Sequence, residues 1–172
     1  MIHKPLVVFA HGKESGPWGS KIQYFANIAQ GLGANVLSPD YRDLASPDER
    51  VERLIALVLP PHSTLLLVGS SMGGYVSLLA SNHLESAGLF LMAPALYLPG
   101  YLEQEPKPGA KRVCIIHGWN DSLIPAEHSF RFATRFHADL HIIDGDHRLN
   151  SSLQQVGDLF RDFASPLLTD RS

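Results

Sequence analysis

Short apolar runs alternate along this chain with longer segments of helical period. The runs Leu6–Ala10, Asn35–Ser38, Thr64–Val68, Ala87–Met92, Arg112–His117 and Leu140–Ile143 are four to six residues long and rich in Val, Ile, Leu and Phe. Runs of this length without polar alternation suit strands covered on both faces, and the intervening segments are long enough for helical crossovers. Ser20 is placed to cap a helix through about Leu32. Ser46, with Pro47 in the first turn and Glu49 three residues on, marks the start of a helix reaching Leu59. Tyr75–Leu84, Ala126–Phe136 and Leu149–Phe163 supply three more. In the helix after Ser46, Val51, Leu54, Ile55 and Val58 recur at three- and four-residue spacing opposite Asp48, Glu49, Glu52 and Arg53. That stripe reads as core with no ligand role. The pattern predicts an α/β fold of about six mainly parallel strands with helices on both faces.

One stretch breaks the alternation. Pro94 to Gly109 carries prolines at 94, 99, 106 and 108 with Tyr97 and Tyr101, and no helical period. It predicts an irregular loop over the site, too short for a separate cap domain. The whole chain, 1–172, is expected to form one domain.

Composition narrows the function classes. A hydrophobic fraction of 45%, a charged fraction of 18% and a net charge of −3 describe an ordinary globular chain with no electrostatic footprint for nucleic acid or an anionic membrane. No apolar run approaches the roughly 20 residues that span a bilayer. Met1 to Pro5 lacks the order of regions of a secretory signal, so a cytoplasmic location is expected. The lone Cys114 lies in the apolar run Val113–Ile116 and is expected in the core. Nine histidines are scattered without the paired spacing of a metalloprotease helix, so neither a metal nor a cofactor is expected. Partners are therefore to be sought among small molecules in a pocket.

The chemistry concentrates at Gly69-Ser70-Ser71-Met72-Gly73, a Gly-x-Ser-x-Gly sequence between an apolar run and a helix-like segment. A serine hydroxyl is a poor nucleophile unless it is lifted off the backbone toward a base, and a sharp strand-to-helix turn does this. Such a turn also leaves the Met72 N–H free at the positive end of a helix. In a parallel sheet, residues just after the strands meet at one edge despite their distance in sequence. His147, in a loop after the last strand, is the candidate base. Asp121, after the penultimate strand and before Pro125, is the candidate acid that orients it, with Asp144 and Asp146 as alternatives too close along the chain to reach the far ring nitrogen easily. The imidazoles of His11 and His117, each followed by glycine, read as structural.

The order Ser71, Asp121, His147 is that of α/β-hydrolases. The sequence resembles compact capless bacterial esterases of that superfamily. The resemblance runs from Leu6 to about Ala164 through His11-Gly12, Ser15, Pro17, Ser20 and Lys21, the elbow with Gly74-Tyr75, Ala93-Pro94-Ala95, His117-Gly118 leading to Asp121 and Pro125, and Gly145-Asp146-His147. It implies a minimal α/β-hydrolase fold, and it assigns a second oxyanion donor, the backbone N–H of Lys13, beside that of Met72. Relative to longer members the chain starts at the third strand and lacks a helical cap, which implies an open site.

The expected activity is hydrolysis of carboxylic esters, with thioesters or amides as variants, through an acyl-enzyme on Ser71. Trp18, Trp119, Tyr75, Leu96, Tyr97 and Tyr101 are candidate walls of the acyl site. The alternative is a non-catalytic binding protein that keeps the fold. A nucleotide-binding domain is disfavoured, because no Gly-x-Gly-x-x-Gly or Gly-Lys-Ser/Thr loop follows the first strand.

Overall fold

The computed structural model describes residues 3–169. The chain order is β1 (Leu6–Ala10), α1 (Ser20–Gly31), β2 (Asn35–Leu37), α2 (Pro47–Ala56), β3 (Leu65–Ser70), α3 (Met72–Ala80), β4 (Gly88–Met92), β5 (Arg112–Gly118), α4 (Ala126–Phe136), β6 (Asp139–Ile143) and α5 (Leu153–Thr169), the last preceded by a short 3-10 turn at Asn150–Ser152. The six strands form one sheet in the order β2-β1-β3-β4-β5-β6, and every pairing is parallel. This is the α/β-hydrolase arrangement, with helices on both faces.

Alternate residues of each strand feed two cores. Leu6, Val8 and Ala10 of β1 and Leu65 and Leu67 of β3 pack with Leu54, Val76 and Phe132 from α2, α3 and α4. Val7, Phe9, Leu66 and Val68 point the other way, to Phe25 of α1 and Phe160 of α5. Burial on both sides explains why the strands read as unbroken apolar runs. Cys114 is 2% exposed, and burial pushes its thiol up to about 12.

Helix ends depart from the periodic pattern for local reasons. Ser46 Oγ accepts the Glu49 N–H at 3.3 Å, as the capping pattern predicts. The helix stops at Ala56, short of Leu59, because Pro60 and Pro61 offer no N–H and hold the preceding backbone extended. Val58 therefore falls beyond the helix and is 92% exposed, while Val51 and Leu54 are buried; the stripe ends one turn early. Ser20 is not a cap: Gly19 takes that position and Ser20 is already helical. The helix expected from Tyr75 begins at Met72, directly out of the turn. The last helix runs past Phe163 to Thr169 with Pro166 inside it, held by buried Phe163, Ala164 and Leu168. Among the described residues no helix is long and apolar enough to cross a membrane.

Residues 93–111 form neither helix nor strand, yet they are fastened. The Tyr75 hydroxyl donates to Asp48 Oδ1 at 2.6 Å and accepts the Glu103 N–H at 3.1 Å, while the Leu102 N–H donates to Asp48 Oδ2. His128 Nδ1 lies 2.7 Å from the Leu96 carbonyl, and the Arg131 guanidinium stacks 3.9 Å from the centre of the Tyr97 ring. Glu105 pairs with both Arg131 and Arg135.

Candidate active site

Ser71 sits alone between β3 and α3 with φ 55° and ψ −119°. An L-residue held in so sparsely populated a region stores about 1–3 kcal/mol of strain, and the surroundings must enforce it. They do so through hydrogen bonds. The Ser71 N–H donates to the Met92 carbonyl, and the Ser71 carbonyl accepts from the N–H groups of Gly74 and Ala95, all at 2.9 Å. The flanking glycines are required by close approach: a Cβ at position 69 would stand 2.1 Å from the Gly73 carbonyl oxygen, and one at 73 would stand 1.9 Å from that of Ala10.

Two other loops at the same sheet edge complete a line from this hydroxyl. His147, after β6, places Nε2 at 3.0 Å from Ser71 Oγ and Nδ1 at 2.8 Å from Asp121 Oδ2. The Asp121 side chain, after β5, is wholly buried. Its Oδ1 accepts the N–H groups of Leu123 and Ile124, each at 2.9 Å. Burial works against its charge, but the bonds from Ile124, His147 and Leu123 outweigh it and hold the carboxyl below the usual carboxylate range. A carboxylate on Nδ1 places the ring hydrogen there and leaves the Nε2 lone pair facing the serine. Such a line can take a proton from the hydroxyl and return it to a leaving group. The two alternative acids are engaged elsewhere: Asp146 Oδ1 accepts the Arg148 and Leu149 N–H groups, and Asp144 Oδ1 accepts from the Asn120 amide.

A cavity of about 490 Å³ opens at the serine. Its walls include Met72, Leu98, Tyr101, Leu123 and Ile124, with Lys13, Glu14, Lys21 and Arg148 as its charged members. The Lys21 ammonium, lowered by burial, donates to the Arg148 carbonyl and ties α1 to the His147 loop. Beneath the Gly12 turn, His11 donates from Nδ1 to the Gly12 carbonyl at 2.8 Å and accepts the Tyr41 N–H on Nε2 at 2.9 Å. The buried Arg50 sends Nε to the Leu44 carbonyl at 2.8 Å and Nη1 to the Gly12 carbonyl at 3.3 Å.

Most of the candidate substrate walls lie elsewhere. Tyr75 and Leu96 are fully buried and offer no surface to a ligand; Tyr75 instead secures the 93–111 loop. Tyr97 packs under Arg131, and Trp18 is 45% exposed outside the cavity wall. Trp119 lines a second hollow of about 460 Å³ with Phe130 and Leu123, and Leu123 borders both cavities. Of the six, Tyr101 lines the cavity at the serine. Sequence reasoning passed over Arg50, although a signal existed: it stands four residues before Leu54 on the core-facing side of α2, where an arginine must find acceptors.

The chain matches the alpha/beta hydrolase family over residues 7–171. It is 30% identical to a protein of the alpha/beta hydrolase superfamily from Xanthomonas campestris pv. campestris, with a TM-score of 0.84 over 94% of this chain and 99% of that one. It shares the fold of XC6422 from Xanthomonas campestris, an a/b serine hydrolase without lid (19% identity, TM-score 0.78, 100% of this chain and 86% of that one). The Pyrococcus furiosus esterase Pf2001 is similar in the same way (17% identity, TM-score 0.78, 96% and 84%). No curated protein matches the chain. Sheet order, strand-to-helix turn and family match together identify the chain as a member of the alpha/beta hydrolase family.

Proposed function

We propose that the protein is a serine hydrolase of carboxylic esters, with thioesters as a variant substrate. The observation that carries this reading is the unbroken line from Ser71 Oγ to His147 Nε2 at 3.0 Å and from His147 Nδ1 to Asp121 Oδ2 at 2.8 Å. The esterase from Pyrococcus furiosus, which shares the fold, supports the reaction class.

Neutral His147 takes the hydroxyl proton as Ser71 Oγ attacks the ester carbonyl, and Asp121 steadies the imidazolium that forms. The oxyanion is held by the backbone N–H groups of Met72 and Lys13. Met72 opens α3, so its N–H has no partner within the helix. The Gly12 carbonyl is engaged by His11 and Arg50, and in a trans peptide the Lys13 N–H points the opposite way, which supports it as the second donor. Collapse of the intermediate passes the proton from His147 to the departing alcohol or thiol. Water, activated by the same imidazole, then cleaves the acyl-enzyme and restores Ser71.

Two measurements test the proposal. A fluorophosphonate probe is expected to label the wild type at Ser71, and Ser71→Ala is expected to lose labelling and about 10⁴-fold or more of its turnover on p-nitrophenyl esters and acyl thioesters. Turnover that survives the substitution unchanged would remove the serine from the reaction, and no turnover or labelling by folded wild type would leave a binding protein.

A further inference from the structure

The line from Ser71 to Asp121 leaves a second buried imidazole beside the acid. His117, one residue before the end of β5, has no exposed surface. Its Nε2 lies 3.0 Å from Asp121 Oδ2 and 2.9 Å from the Ile124 carbonyl. Its Nδ1 lies 2.7 Å from Oγ of Ser129, which is wholly buried in α4. A carbonyl and a carboxylate only accept, so Nε2 carries a hydrogen, which it donates to the Ile124 carbonyl while Asp121 Oδ2 stands beside it as a close polar contact. Ser129 then donates to the bare Nδ1, and a neutral ring satisfies every polar atom around it.

Asp121 Oδ2 thus accepts the His147 N–H at 2.8 Å and lies 3.0 Å from the His117 nitrogen that carries a hydrogen. The geometry points to His117 as a positioning residue that fixes the Asp121 carboxylate, by holding the residue whose N–H bonds Oδ1 and by standing its own N–H dipole beside Oδ2. The inference rests on the hydrolase reading above, in which Asp121 orients His147. An oxygen that already faces the His117 N–H dipole pulls less strongly on a protonated His147 than one without that neighbour. The imidazolium formed during attack is then held in line while it stays acidic enough to protonate the leaving group. The titratable groups around Asp121 are His117 on β5 and His147 on the β6–α5 loop; α4 contributes the uncharged Ser129 to the His117 ring. His147 shares its cavity with Lys13, Glu14, Lys21 and Arg148, which the substitutions below leave in place.

The test is the pH profile of ester hydrolysis by His117→Met and His117→Gln proteins. Glutamine offers an amide N–H toward the Nε2 position, and methionine offers none. His117→Met is expected to lower kcat about tenfold with KM within about twofold, and to move the acidic limb of kcat/KM upward by about half a pH unit, because a carboxylate without the neighbouring N–H dipole favours imidazolium more. His117→Gln is expected to return the limb to its wild-type position. Ser129→Ala keeps the imidazole and removes its anchor; it is expected to shift the limb the same way by less, and it carries the test if His117→Met does not fold. An unmoved limb and wild-type kcat, with a lowered melting temperature as the sole effect, would reduce His117 to packing and overturn the inference. A glutamine protein that behaves like the methionine one would overturn it too. Fluorophosphonate labelling of the wild type separates the two levels: absent labelling removes the Ser71 reading itself, whereas labelling with an unmoved limb removes the role of His117 alone.

Discussion

At the scale of single residues, strain and charge are both concentrated around Ser71. Its φ of 55° is a conformation that glycine adopts freely. Ser71→Gly is therefore expected to abolish ester hydrolysis while raising stability by about 1 kcal/mol, read from chemical denaturation. A loss of stability instead would mean that the Ser71 side chain, and not its enforced backbone, is what the fold accommodates. Asp121 is the second sensitive point. Asp121→Asn keeps the shape but cannot hold the imidazole hydrogen on Nδ1 as a carboxylate does, so kcat is expected to fall by about 10³- to 10⁴-fold with little change in KM. The motif residues Ser71, Asp121 and His147 were legible in the sequence because each follows a strand at the same sheet edge, and topology alone brings those positions together. His117 and Arg50 were not, since a polar residue inside an apolar run or on an apolar helix face declares no partner until the chain is folded.

At the scale of elements, α2 offers a direct comparison. Leu54 and Val58 occupy equivalent places in the periodic stripe, but Leu54 is fully buried and Val58 is 92% exposed. Leu54→Ala is expected to destabilise the protein by about 2–5 kcal/mol. Val58→Ala is expected to stay within about 0.5 kcal/mol in the same denaturation experiment. Periodicity located the face of the helix correctly; it missed the end, because the proline pair at 60 and 61 acts on backbone donors that a hydrophobic pattern does not register. The 93–111 segment shows the converse. Its prolines announced irregular backbone, yet its order comes from Asp48, Tyr75, His128, Arg131 and Arg135 on three helices. Tyr75→Phe is expected to lose about 1–2 kcal/mol and to speed amide hydrogen exchange at Leu102 and Glu103, with Ser71 labelling retained.

At the scale of the whole molecule, acid weakens the fold through groups that serve the site. His11 is lowered chiefly by burial, and Asp121 is held low by its donors against burial. Each binds fewer protons folded than unfolded, so each contributes stability above its unfolded pKa that is lost as pH falls toward its lowered folded value. The His11 window opens at about pH 6.5 and the Asp121 window at about pH 4. Melting temperature is expected to decline as pH drops from neutrality through the first window and to drop further in the second. His11→Gln is expected to flatten the first decline, and a melting temperature level from pH 7 to about 5 in the wild type would contradict the assignment.

Cys114 gives this molecule a built-in clock. Its sulfur lies in β5, between β4 and β6 and beneath the α1–α5 face, and burial keeps it protonated and shielded. Alkylating reagents can reach it when the sheet itself opens, so the rate of thiol modification follows separation of the strands that hold the hydrolytic edge together.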